Sequence, residues 1–462
     1  MRFIFILLLP AVIFGFEWTP PQLVADGGHC DRSRFGLDCF DSLWCIFNVC
    51  ADPCTVKVSC YDGSQWSEPI SIYAGIQASA VGGFDVTRAK NGKLWVLTCE
   101  EDLPGSPPHI TLYYDGSAWS DTFIIPPPGG ATNWHLAADS SGKVWAVFSG
   151  SEDYRIWCDV CDDTIWSGPY VVCSYPTYDQ VMSAGVTVDP NGIRWVAGTA
   201  FSTNDQTFLT FSDSTGAWTD SLIIGPQITG PGMTRDVISD NNGNIWLAWW
   251  VDAEEDKIYA AYLDTNLLWS PHYQITQSSG EFLGWCKMAV DGENKVWIVY
   301  DKDSTFYYRI WNGIEWSPED TIVASPASSA FHGDIFYDSV RNRIWVSFRF
   351  GMGYSGDIYS TWTNPSSDVE EKKKEPTNQN LLITPNPATR DLSFQYTIRQ
   401  KAKIDLNLYD NSGRLVRRIF TGEKLTGSYS EKISLNNYPN GVYHLLLKTS
   451  NAIIKRKLVL IK

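Results

Sequence analysis

Five ionisable side chains recur in this sequence at nearly equal intervals: Arg34, Asp85, His135, Asp236 and Lys287. Each stands ten residues before a Trp that closes a short polar turn. Gly185 and Ile335 occupy the same place in two further copies of that turn. If the copies are arranged around an axis, these residues converge near the mouth of a central channel. Charges of both signs gathered there either neutralise one another in salt bridges or hold a polar ligand. Mixed-charge networks are commonly structural, and the salt-bridge reading is preferred. Trp134, Arg235, Trp285 and His332 lie nearby. Aromatic rings beside carboxylates would suit a sugar or a peptide. The candidate ligand-binding set at the channel mouth is therefore Arg34, Asp85, Trp134, His135, Arg235, Asp236, Trp285, Lys287 and His332.

No other constellation is as suggestive. No Ser-His-Asp arrangement or metal-binding motif is present, so no catalytic residue and no metal ligand is assigned. Cys158 and Cys161 have metal-like spacing, but no second pair accompanies them, and structural zinc wants four ligands. An Asp in each recurring turn raises calcium as a weak candidate cofactor. A full calcium loop is missing, and a turn-capping Asp is the better reading. From Gln379 onward, 8 Lys and 6 Arg stand against 3 Asp and 2 Glu, a balance of +9. Of the chain's net −16, that leaves −25 on residues 1–378. A body so acidic argues against nucleic acid, whose phosphates need Lys and Arg.

The elements that must position these residues follow from two alternating motifs. One reads YDGSQW at Tyr61–Trp66, YDGSAW at Tyr114–Trp119 and WNGIEW at Trp311–Trp316. The other reads NGKLW, SGKVW, NGIRW, NGNIW, NKVW and NRIW, with a degenerate DSLW upstream. Its Trp residues are 44, 95, 145, 195, 246, 297 and 345, separated by 51, 50, 50, 51, 51 and 48 residues. The first motif gives Trp66, 119, 166, 218, 269 and 316, with Trp18 as an upstream seventh member. A period near 50 with strong turn signals means a solenoid, an array or a propeller. Each period holds about four short alternating strands joined by N-G and D-G turns. Four antiparallel strands, seven times over, predict an all-β chain built on a seven-bladed β-propeller. The last repeat lacks its fourth strand, and the segment at Trp18 lacks its first three. The N-terminal strand is expected to complete the last blade and remove an exposed edge. The recurring Trp residues are expected to be wedges between blades.

The D-G turn resembles the Asp-box turn of sialidase-type propellers. The D-x-N-G-x-x-W segments resemble the repeats of two-component sensor propellers. A closer resemblance lies at the end of the chain. ITPNPA (Ile383–Ala388), LNLYDNSGRLVR (Leu406–Arg417), YPNGVYHLLL (Tyr438–Leu447) and the terminal KRKLVLIK resemble the type A C-terminal sorting domain of type IX secretion substrates. That resemblance implies a small Ig-like β-sandwich, export across both membranes, and secretion machinery as a partner. Family members often lose this tail and become attached to the cell surface. A related Ig-like module occurs in flagellar hook-capping proteins, so a plain structural Ig-like domain is the other reading.

The expected organisation is a signal peptide at 1–16, a propeller at 17–364, a linker at 365–378 and a C-terminal secretion β-sandwich at 379–462. MRFIFILLLPAVIFGF has one Arg and then an apolar run, as a secretory signal does, and no transmembrane segment is expected in the mature chain. Export permits disulfides. The 11 Cys leave at least one unpaired, and six of them between Cys30 and Cys60 suggest local stapling. The longer loops CEEDLPGSPPH, VDAEEDK, CSYPTYDQ and SSGEFLGWC fall on the face opposite the tight turns, where a glycan or protein ligand would bind. The functional expectation is a secreted or surface-attached, noncatalytic binding or scaffold protein. The alternative is a glycan-acting hydrolase of sialidase-like type, with Arg34, Arg235 and Arg349 converging on the loop face. Against it, the early Arg-Ile-Pro signature of that family is absent; YRIW at Tyr154 and Tyr308 is not it.

Overall fold

The computed structural model describes residues 16–26, 30–49, 55–74, 85–99, 109–125, 131–150, 154–174, 180–201, 205–212, 216–219, 223–227, 232–251, 257–276, 282–302, 305–324, 330–350, 356–365, 381–384, 388–398, 401–410, 415–449 and 453–462. The chain divides into two compact units, Met1–Ser367 and Asp368–Lys462. Regular structure among the described residues is all β, and no helix is long and apolar enough to cross a membrane. All but the first residue of the expected linker at 365–378, and most of the expected signal peptide, lie outside the described residues. Phe16, at the expected signal boundary, donates its backbone N–H to Tyr308 Oη at 3.2 Å and packs edge-on against Trp297.

The first unit is a succession of four-stranded antiparallel sheets. The first sheet runs Cys30–Leu37, Leu43–Val49, Thr55–Tyr61 and Ile70–Ala74, each strand pairing with the next. Five more sheets follow the same order, with first strands Asp85–Arg88, Ala131–Ala138, Gln180–Val188, Gly232–Ser239 and Phe282–Val290. The seventh sheet takes three strands from Ala330–Asp338, Arg343–Phe350 and Asp357–Thr363. Its fourth is Gln22–Ala25, which pairs antiparallel with Asp357–Thr363. The first strand of each sheet lies beside the first strand of the next, and Ala330–Asp338 returns to lie beside Cys30–Leu37.

Hydrophobic burial lies between consecutive sheets rather than in one central core. Seven clusters of buried side chains each join two neighbouring sheets, the last linking the seventh sheet to the first. The two Trp series meet at these junctions. Trp44 meets Trp119 at 5.9 Å and 85°, and Trp95 meets Trp166 at 5.8 Å and 88°. Trp145 meets Trp218 at 6.2 Å and 85°, and Trp246 meets Trp316 at 5.7 Å and 87°. Trp18 serves the same place against Trp297 at 6.4 Å and 88°, and Trp66 against Trp345 at 5.8 Å and 75°. Edge-on contact sets the positive rim of one indole against the negative face of the other, and adds to the area each ring buries.

The turn before each inner Trp explains why Asp recurs there. Asp291 Oδ1 accepts the amides of Glu293 and Lys295, both at 2.9 Å, and Oδ2 accepts the indole Nε1–H of Trp297 at 2.8 Å. The same clasp forms at Asp38, Asp139, Asp189 and Asp240, with indole bonds of 2.9, 2.9, 3.3 and 3.2 Å. A third turn residue must take positive φ. Glycine does so in four copies, and Asp41 and Asn294 do so in two others at φ 61° and 63°. The exposed Asp62 caps its own D-G turn by accepting the amides of Ser64 and Gln65. The seventh clasp differs, because Asp338 and Trp345 are one residue further apart. Asp338 holds Val340, Arg341 and the Arg341 guanidinium, and the buried Trp345 Nε1 has no partner.

The second unit packs a three-stranded sheet (Leu381–Thr384, Asp391–Ile398, Gly427–Ser434) against a four-stranded one. The latter orders Leu415–Lys424, Ala402–Asp410, Gly441–Thr449 and Ile453–Leu460. Alternating Leu392, Phe394, Tyr396 and Ile398 meet Leu406, Leu408, Leu445 and Leu447 in one core. Lys462 Nζ donates to the carbonyls of Asn436 and Tyr438, tying the last residue to the Tyr-Pro-Asn-Gly turn.

Replacing Asp291 with Ala removes two turn bonds and strands a fully buried indole N–H. A loss of about 2–3 kcal/mol is expected, and a smaller one for Asp62→Ala in its exposed turn. Urea denaturation of the two variants checks this, and equal midpoints would show that the indole clasp does not matter.

Candidate functional site

The first strands line a cavity of about 450 Å³. Its lining includes Arg34, Asp85, His135, Asp236, Lys287 and Asp334. Asp334 takes the place that counting from Trp345 assigns to Ile335. The reason is the longer seventh turn. Trp345 pairs with Phe336, nine residues back, whereas Trp44 pairs with Gly36 and Trp297 with Ala289, eight back. Ile335 is buried between the sixth and seventh sheets instead.

The charges in this ring hold one another. Arg34 lies between two carboxylates, 3.6 Å from Asp85 and 3.9 Å from Asp334. Lys287 Nζ is 2.8 Å from Asp236 Oδ1, and His135 Nδ1 is 3.9 Å from Asp85 Oδ2. Each carboxylate also reaches the next sheet. Asp85 accepts the Leu136 amide at 2.8 Å, Asp236 the Met288 amide at 2.7 Å and Asp334 the Phe35 amide at 3.1 Å. Burial pushes the Asp334 carboxyl up, while Arg34 and Lys287 pull it back. Gly185 adds no side chain to the ring and is closely packed, since an added Cβ would come within 2.7 Å of Val237 Cγ1.

The other candidates separate from this ring because a β-bulge sits just before it on the first strands. Register shifts between Thr132 and His135, between Thr234 and Asp236, and between Phe282 and Cys286. The extra residue reverses the alternation. Trp134 turns into the junction of the second and third sheets, stacked on Phe148 at 4.3 Å, and does not reach the cavity. It lies against His109, which burial holds neutral, with its pKa lowered to about 3. Trp285 donates its Nε1–H to the Gly333 carbonyl at 2.9 Å, and Arg32 sits over its ring at 5.7 Å. Arg235 stacks over Trp250 at 5.3 Å. Arg349 is buried in the second strand of the seventh sheet. Neither Arg235 nor Arg349 lines the cavity that Arg34 lines. The side chain of His332 and most of the four longer loops (residues 100–108, 175–179, 252–256 and 277–281) lie outside the described residues.

Two further features escape a sequence count. Asp301 stands one residue before the end of the second strand of the sixth sheet and is 1% exposed. Burial raises its pKa to about 7; the backbone amides of Asp301 and Trp285, and the charge of Arg235, pull it down. The signal for it was a carboxylate in the apolar run VWIVYDK. Second, Glu319 accepts the Tyr300 hydroxyl at 2.5 Å and pairs with Lys302 at 2.9 Å, on the outer side of that sheet. Cys158 and Cys161 are three apart on one strand, so they face opposite junctions and cannot share an ion. Among the described residues, no group of three or more His, Cys, Asp or Glu could hold a metal ion. Cys39 and Cys60 are free thiols, and the side chains of Cys30, Cys50 and Cys54 lie outside the described residues.

Residues 382–462 match the family model of the secretion system C-terminal sorting domain. No curated protein matches the chain. Among solved structures, an ulvan lyase from a new polysaccharide lyase family, bound to -[GlcA(1-4)Rha3S]-, is similar with a TM-score of 0.54 and 11% identity, covering 74% of this chain and 95% of that one. A protein of unknown function from Dyadobacter fermentans DSM 18053 gives 0.47 and 13%, covering 62% and 94%. The NanB sialidase from Streptococcus pneumoniae gives 0.46 and 12%, covering 75% and 71%. At such identities the likeness to the lyase is one of fold.

If the ring is structural, Lys287→Met should leave the Asp236 carboxylate buried without its cation and cost about 3 kcal/mol. Adding Asp236→Asn should recover much of the loss. A thermal midpoint unchanged by Lys287→Met would mean the ring does not hold the sheets. Asp301 has a raised folded pKa, so its protonated form favours folding. Its contribution is full below about pH 4 and is lost as pH rises to about 7. Wild type should therefore weaken relative to Asp301→Asn across that window, by up to a few kcal/mol. Parallel denaturation curves of the two proteins at pH 4.5 and 8 would contradict this.

Proposed function

We propose that this chain, whose residues 382–462 are a secretion sorting domain and which is therefore exported for secretion or outer-surface attachment, is a noncatalytic surface binding protein. Its first unit is a seven-bladed β-propeller, closed by the N-terminal strand Gln22–Ala25, and its ligand is a glycan or a protein. The return of the first strands to their start and the seven inter-sheet clusters support the propeller reading. The 3+4 sandwich supports an Ig-like tail that engages the secretion machinery. Residues 1–16 serve as the signal peptide and 365–378 as the linker.

One observation carries the noncatalytic reading. Every carboxylate of the central cavity is held by a cation or imidazole and by a backbone amide of the next sheet. Glycoside hydrolysis needs an acid and a second carboxylate at a set separation, free to exchange protons with substrate. A ring that joins the sheets supplies neither. The candidate ligand residues then keep a binding role at most, through the polar cavity and the bulged positions beside it. The second reading, a glycan-acting enzyme, is favoured by Asp301, an acid poised near neutrality. The ulvan lyase of like fold holds an acidic, sulfated saccharide, which places acidic polysaccharides among the ligands to test.

The test is the full chain on a broad glycan array, with bound glycans then incubated and analysed for shortened products. Binding with no product is expected. Shortened or unsaturated products that disappear in Asp301→Asn would replace this conclusion with the enzyme reading.

A further inference from the structure

Arg235 sits over an indole, as Arg32 does over Trp285. It occupies the bulge of its strand, next to Asp236, which lines the cavity. The Trp250 ring supports its guanidinium at 5.3 Å. Its Nε is buried without a hydrogen-bond partner, and the guanidinium has no ion pair among the described residues. Burial works against its charge and so does the neighbouring Arg32, while Asp301 works for it. Asp301 is close enough to be felt but forms no salt bridge with it among the described residues. A half-buried charge that keeps no counter-ion is costly and asks for an explanation.

We propose that Arg235, supported by Trp250 and flanked by Arg32 and Asp301, binds the carboxylate or sulfate group of an acidic saccharide. The proposal deepens the glycan-binding reading and rests on it. Guanidinium offers paired N–H donors in a plane, which match two oxygens of a carboxylate or sulfate. The indole beneath limits the motion of the side chain, so little freedom is lost on binding. Arg32 adds positive potential at the same place. Asp301, buried and uncharged while protonated, leaves that potential uncancelled. Neutral saccharides lack the group that Arg235 needs.

The experiment titrates the full chain with three oligosaccharides at pH 6 by calorimetry: oligogalacturonate, a sulfated galactose oligomer and a neutral malto-oligosaccharide. One or both charged probes should bind more tightly than the neutral one, and which of them does so assigns carboxylate or sulfate. Arg235→Gln should weaken the charged probe about tenfold to a hundredfold, the scale of a lost charged hydrogen bond. Arg235→Lys keeps the charge without the fork and should fall between. It also serves if the Gln variant folds poorly, which thermal melting will reveal. Equal binding of neutral and charged probes, no binding of either charged probe, or charged binding unchanged in both variants would overturn the proposal. Those results would leave an exported scaffold or protein-binding role standing. Charged probes that bind through Arg235 and are also cleaved would instead overturn the noncatalytic reading and keep the site.

Discussion

The edge-on contact between one sheet's inner-turn Trp and the opening-motif Trp of the next sheet is the joint on which the first unit depends. A four-stranded sheet has two faces and cannot bury either alone. Each sheet here presents one face to its predecessor and one to its successor, and the paired indoles fill both gaps. The Asp clasp makes this joint definite. It fixes the turn and satisfies the indole N–H with the same carboxylate, so the ring is held where the next sheet meets it. The outermost strand from the N-terminus matters for the same reason, because it brings Trp18 to Trp297.

Packing sheets side by side around an axis creates a second requirement. Their first strands crowd together there, and side chains facing the axis must be accommodated in little space. Apolar residues already serve the junctions between sheets. The axial positions are polar instead, and their charges alternate so that cations sit between carboxylates. The carboxylates also hold the amides of the neighbouring sheet. The ring of charge is thus a continuation of the fold rather than an addition to it.

The proposed ligand site lies beside that ring, at the bulges. A bulge turns a side chain out of the alternating pattern and away from the axis. Arg235 reaches its indole shelf in this way, and the same device sends Trp134 into the core. An identical local irregularity has opposite consequences, set by what the neighbouring sheet offers. The basic C-terminal unit stands apart in charge and in core, as suits a segment read by the export machinery rather than by the ligand.

Local chemistry made much of this protein legible in its sequence. Turn residues, strand alternation and the 50-residue period are short-range properties, so the four-strand unit, the Trp ladders and the capping Asp could be read directly. The sorting motifs were equally local. Arg34, Asp85, His135, Asp236 and Lys287 were legible because they keep a constant distance from a fixed Trp. Asp334 was not, because one extra residue in the last turn shifts the count and only strand pairing reveals it. Trp134, Arg235 and Trp285 were placed by bulges, whose effect depends on the partner strand. Asp301 acquired its character from burial under groups far away in sequence. Spacing fixes which residues can meet when the geometry repeats. Where the geometry departs from the repeat, only the packed sheets decide, because desolvation and charge act through space and not along the chain.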